Sequence, residues 1–114
     1  MYVPQRGEVW YVDLDPVVGH EQAGRRPALI VSADSFNAGP ASLVVVVPIT
    51  RRRRGVPLHI ELPPPEGGLR ATSYAMCENV RSISRERVAR GPLGRISRQK
   101  MQEVEYALKI LLDL

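Results

Sequence analysis

Residues 19–27, GHEQAGRRP, gather an imidazole (His20), a carboxylate (Glu21), an amide (Gln22) and two guanidinium groups (Arg25 and Arg26), then run into the apolar residues Ala28-Leu29-Ile30-Val31. Such a set can move protons and hold negative charge. An imidazole, with an unperturbed pKa of about 6.5, works as acid or base near neutrality. A glutamate must have its pKa raised by burial to do the same, and otherwise serves to orient a neighbouring arginine. Arginine stays protonated, so its part is charge stabilisation, and its planar fork suits phosphate oxygens. Pro27 biases the residue before it towards extended backbone, so Arg26 leaves the start of a strand at a defined place.

The frame that must hold this loop is small. The chain has 114 residues, 44% of them hydrophobic, enough for one domain spanning residues 1–114 with a single modest core. Short runs rich in valine and isoleucine alternate with breaks containing Gly and Pro, which predicts strands over residues 9–14, 27–32, 42–50, 57–62, 72–77 and 80–84 and a mainly β barrel or sandwich. Pro27 would open the second strand, where a missing N–H is tolerated. The third strand is nearly continuous in apolar residues and should be covered on both faces, while the fourth alternates as a half-exposed strand. Towards the C-terminus, Ser97 suits an N-cap, Ile96 and Met101 are spaced as a hydrophobic staple, and Met101, Val104, Leu108 and Leu111 repeat at helical spacing. That apolar face should cover an open end of the barrel; a role in dimer contacts is compatible with it.

The net charge is +4, carried by fourteen arginines and only two lysines. This balance suits a phosphate-bearing partner, although a merely basic protein would share it. Arg51, Arg52, Arg53 and Arg54 directly follow Thr50, and four adjacent cations either track a nucleic-acid backbone or keep a loop solvated. A single cysteine, Cys77, excludes an internal disulfide and points to a reducing compartment. No Asp/Glu/His cluster has metal-ligand spacing near the proposed site, so neither a metal nor another cofactor is expected. The N-terminus lacks the basic start and apolar core of a signal peptide, and the longest apolar run, residues 43–49, is too short to span a bilayer. A cytoplasmic protein away from the membrane is the expectation. Of the aromatics, Trp10, Tyr11, Phe36 and Tyr74 mostly read as core, and His59, within an amphipathic strand, reads as a surface residue.

The blocks Arg6-Gly7-Glu8-Val9-Trp10, Asp15-Pro16, Gly19-His20-Glu21-Gln22, Arg26-Pro27-Ala28-Leu29-Ile30-Val31-Ser32, Val47-Pro48-Ile49-Thr50 and Glu78-Asn79-Val80-Arg81-Ser82-Ile83 resemble, in this order, the MazF/PemK family of toxin endoribonucleases. No block is specific alone; their order is. The resemblance implies an SH3-like small β-barrel with short helices and a C-terminal helix, normally a homodimer. It also implies sequence-selective, metal-independent cleavage of single-stranded RNA, with inhibition of growth. Control would come from a cognate antitoxin whose acidic, disordered tail covers the basic face, the pair together binding DNA. In such enzymes the ribose 2′-OH attacks the adjacent phosphate, giving a 2′,3′-cyclic phosphate and a 5′-hydroxyl. The step needs a proton acceptor, a proton donor and a positive group on the phosphorane.

By the same resemblance, Arg26 stabilises the charge and Thr50 hydrogen-bonds a phosphate oxygen, while His20 and Glu21 are the candidates for proton transfer. Gln22, Arg25, the Arg51–Arg54 run, Glu78 and Arg81 are the candidates for RNA contacts. One branch of the family uses an R-C-D motif; here the matching residues are Met76, Cys77 and Glu78, so the acid is kept in kind and the arginine is lost. The weight therefore falls on Arg26 and Thr50. A related barrel family poisons DNA gyrase by binding alone, and fold cannot separate a binder from an enzyme. Those binders lack the G-x-E-Q…R-P…P-x-T constellation in this form.

Overall fold

The computed structural model describes residues 3–14 and 24–114. Seven strands form one antiparallel sheet among these residues: β1 (Glu8–Asp13), β2 (Arg25–Ile30), β3 (Leu43–Thr50), β4 (His59–Leu62), β5 (Ser73–Met76), β6 (Arg81–Ser84) and β7 (Gly94–Arg95). Along the sheet the order is β4-β5-β3-β2-β1-β7, with β6 branching onto β3. Two helices complete the fold, a short α1 (Asp34–Asn37) and the fifteen-residue α2 (Arg98–Leu112).

Strand β3 divides its length between partners. Its first half pairs with β6, from Leu43↔Ser84 to Val46↔Arg81, and its last two residues pair with β5. An isolated bridge between Val12 and Val88 ties β1 to the stretch after β6, so the path β1-β2-β3-β6 curls back onto itself. Side chains alternate along each strand. Trp10, Val12, Leu14, Ala28, Ile30, Val44, Val46 and Ile83 therefore fill one cluster, with Val88 packed against it. The intervening residues Val9, Leu29, Val47 and Ile49 join Leu62, Ala75, Ile96, Val104 and Ala107 in a second. The apolar continuity of β3 thus has its cause in burial on both faces.

Helix α2 begins as its sequence predicts. The Ser97 hydroxyl accepts from Lys100 N–H at 3.2 Å, and Ile96 and Met101 meet in the second cluster. A cap of this kind contributes about 1 kcal/mol. The helix packs on β4 and on the 3-10 turn Cys77–Asn79 through Val104 and Ala107. Leu111, placed by periodicity on the covered face, is 37% exposed beside the exposed Ile110 and Leu112.

Several strand limits differ from expectation. β2 starts at Arg25 and ends at Ile30, which puts Pro27 inside the strand, and β7 carries too few residues to signal itself. Of the aromatics, Trp10 is core, whereas Tyr11 is 44% exposed and Phe36 is also exposed. Tyr11 shares its face with Val9, which the second cluster covers, but lies further along β1, where that cluster does not reach. Among the described residues no helix is long and apolar enough to cross a membrane.

Candidate active site

The site lies where β2 and β3 part company. Their ladder runs from Ile30↔Val46 to Ala28↔Pro48 and stops there. Continued one step it would need Pro27 opposite Ile49, and proline has no N–H to give a ladder. On the other edge of β3, Ile49 and Thr50 pair with Ala75 and Tyr74 of β5, while Pro27 and Arg26 stay with Tyr11 and Val12 of β1. The diverging ends leave a wedge. Arg26 stands two residues before Ala28, and Thr50 two after its partner Pro48, so alternation sends both side chains off the same face from opposite walls.

The remaining wall is built by glycine. Gly68 has φ +72°, and a Cβ there would lie 2.1 Å from Leu93 O; one on Gly94 would lie 2.6 Å from Gly68 N. Only glycines let these two backbones touch. The contact brings Leu69, Arg70, Ala71 and Leu93 to a cavity of about 1050 Å³ whose other sides are Tyr11, Arg25, Arg26, Pro27, Ile49, Thr50, Arg51, Arg52, Arg54 and Ser73. Six arginines line it, and no carboxylate does among the described residues. A dense set of guanidinium groups without a lining acid makes the cavity a receptor for anions. Thr50 Oγ1 accepts from Arg52 N–H at 3.1 Å, which fixes the hydroxyl oxygen and leaves its proton to donate.

Of the residues expected in the site, Arg25, Arg26, Thr50, Arg51, Arg52 and Arg54 come together here. Arg53 is exposed but outside the lining. His20, Glu21 and Gln22 lie outside the described residues; the ends of their segment are joined by Leu14 N–H donating to Gly24 O at 3.0 Å, next to Arg25. Arg81 pairs in β6 with Val46, well down β3 from Thr50. Glu78 also stands apart, beyond the far end of β5, where its Oε2 accepts from His59 Nε2 at 2.6 Å.

His59 itself corrects an expectation. Its side chain is 4% exposed, not a surface group, because the turn after β5 and helix α2 close over β4. Its Nδ1 is buried with no hydrogen-bond partner among the described residues. Next to Glu78, burial first and the neighbouring carboxylate second push the Cys77 thiol up to about 12, so at neutral pH it is not a thiolate nucleophile. Sequence reasoning missed Arg70, Tyr11 and Leu93 as cavity residues. Arg70 is one arginine among fourteen with no motif around it, and only the Gly68–Leu93 contact brings it in.

The class the fold and site define is a small curled β-barrel with an arginine-lined cavity at a strand divergence, free of acids among its described lining residues. The family model described as PemK-like, MazF-like toxin of type II toxin-antitoxin system matches residues 5–112, and the chain belongs to that family. Endoribonuclease MazF9 of Mycobacterium tuberculosis is 41% identical to it over 96% of this chain and 97% of its own length. Among solved structures, MazF from Deinococcus radiodurans is 33% identical and superimposes with a TM-score of 0.87, each chain fully covered. A MazE–MazF structure from the same organism gives a TM-score of 0.81 at 32% identity, covering 100% of this chain and 99% of that one.

Proposed function

We propose that this chain is the toxin of a toxin–antitoxin pair and acts in the cytoplasm as an endoribonuclease on single-stranded RNA, inhibiting translation and growth. The observation that carries the reading is the wedge between β2 and β3, where Arg26 and Thr50 face one cavity with five further arginines and no carboxylate among the described lining residues. Arg26 holds the charge that grows on the phosphorane, which is the largest electrostatic demand of the step. The Thr50 hydroxyl donates to a non-bridging phosphate oxygen. Arg25, Arg51, Arg52 and Arg54 grip neighbouring phosphates. The ionisable lining among the described residues consists of arginines and one tyrosine, neither of which trades protons readily near neutrality. Proton transfer is therefore assigned to His20 or Glu21, with Gln22 reading a base edge.

The 2′-OH of the substrate is the nucleophile. It attacks the adjacent phosphorus, the bond to the 5′-oxygen breaks, and the products are a 2′,3′-cyclic phosphate and a 5′-hydroxyl. An antitoxin with an acidic tail silences the enzyme by covering the cavity, a partnership supported by the MazE–MazF structures of the relative. The exposed apolar end of α2 supports a homodimer. A gyrase-binding toxin of the same barrel class is not favoured, since the curated relative carries the name of an endoribonuclease.

The test has two arms. An RNA with one 2′-deoxy nucleotide immediately 5′ of the scissile phosphate should bind like the all-RNA strand but stay uncut, and chelation of divalent ions should leave cleavage of the ordinary strand intact. Cutting of the deoxy strand at a comparable rate, or loss of activity on chelation restored by Mg²⁺, would make an activated water the nucleophile.

A further inference from the structure

A second cavity of about 560 Å³ opens beside the first and is lined by Tyr11, Arg25, Ala89 and Arg90. Tyr11 and Arg25 belong to both cavities. The Tyr11 ring is thus a shared wall, and a strand leaving the Arg26–Thr50 wedge on this side must pass it. The ring stands on a rigid base. Its backbone is paired with Pro27 across the β1–β2 ladder, and Tyr11 O accepts from Ala89 N–H at 2.9 Å. With the Val12↔Val88 bridge and Leu93 N–H donating to Val9 O at 2.7 Å, residues 88–93 run along β1. Arg90 is thereby held next to the ring, opposite Arg25.

An aromatic face between two guanidinium groups has a specific chemistry. Nucleic-acid bases stack on tyrosine whatever their identity, while cations on either side take the flanking phosphates. The Tyr11 side chain is 44% exposed and belongs to neither packed cluster of the described residues. Resting on the RNA-cleaving reading above, we infer that Tyr11, Arg25 and Arg90 form a second nucleotide subsite. It holds the base of a nucleotide flanking the scissile phosphate against the Tyr11 ring, and Arg90 holds that nucleotide's phosphate. The wedge does the cutting and this subsite sets which stretch of single strand is presented.

The experiment couples the ring to one base. A cleavable single-stranded RNA is made with a 2′-deoxy nucleotide at the cut so that binding can be measured, and each flanking base in turn is replaced by an abasic nucleotide. Tyr11→Phe should bind as the wild type does. Tyr11→Thr, which removes the ring but suits a strand by its β-branching, should weaken binding by about five- to a hundred-and-fiftyfold, the range found for loss of one base–aromatic stack. One abasic position should cost the wild type a similar factor and cost the Tyr11→Thr protein almost nothing, since the partner is already gone. Arg90→Gln should lower the log–log salt slope of binding by about 0.7. If the Tyr11→Thr and abasic penalties multiply at every position, or Tyr11→Thr binds as tightly as wild type, the subsite is wrong. Cleavage of the unmodified RNA by the wild type is measured alongside; its failure would remove the nuclease reading, whereas its success with no coupling would remove only the subsite.

Discussion

The two ends of β5 carry two groups of ionisable side chains, and they are opposites. At the end that meets Thr50, arginines crowd an open cavity with no acid in its described lining. At the other end the covered His59 and Cys77 lie beside helix α2 and Glu78 at its rim, His59 and Glu78 joined by a 2.6 Å hydrogen bond and the thiol pushed up to about 12. Both regions attract attention as sites when only residue types are counted. Their surroundings separate them. Charges of one sign gathered around an open cavity raise its potential and favour an arriving anion, so they can act as a receptor. Groups that pair with each other and are covered have spent their hydrogen bonds on the fold.

Breaking the first region should have the largest effect. Arg26→Ala should lower RNA cleavage by about a hundredfold to a thousandfold, the usual cost of a lost oxyanion donor, with an unchanged thermal midpoint because the side chain is exposed. Near-normal cleavage by the folded variant would remove Arg26 from the mechanism. Breaking the second region should show in stability instead. Glu78→Ala leaves both nitrogens of the buried His59 ring without a partner, and should cost about 1–3 kcal/mol in denaturant unfolding while cleavage per folded molecule stays unchanged. A loss of cleavage at full stability would reverse the contrast and put Glu78 in the catalytic machinery.

The smallest effect sharpens the picture within the first region. Replacing Arg51, Arg52, Arg53 and Arg54 one at a time by glutamine should lower the salt slope of RNA binding by about 0.7 for each residue that touches a phosphate. Arg51, Arg52 and Arg54 line the cavity and Arg53 does not, so Arg53→Gln should leave the slope as it was. A slope left unchanged by every one of the four replacements would return the run to a solvated loop.

Much of this molecule was legible in the residue order. Six strands and the capped helix follow from local signals: runs of β-branched residues, the period of the apolar positions, and Ser97 with Ile96 and Met101 around it. Arg26 and Thr50 could be singled out because each belongs to a block in a recognisable order. What escaped was set by contacts between distant parts of the chain. His59 and Tyr11 both sit in alternating strands, yet one is buried and the other exposed. Alternation says which residues share a face but not what covers it.

By itself, then, the sequence determined six of the strands, the helix with its cap and the arginine excess, which depend on near neighbours or on composition, while the order of its blocks singled out Arg26 and Thr50 as candidates. Only the tertiary structure decided that Pro27 stops the β2–β3 ladder so that Arg26 and Thr50 face each other across a wedge, that the Gly68–Leu93 contact carries Arg70 into it, and that Tyr11 bridges to a second cavity. The reason is physical: a cavity is made of groups brought together by packing across long sequence separations, and no local preference encodes which backbone will approach which.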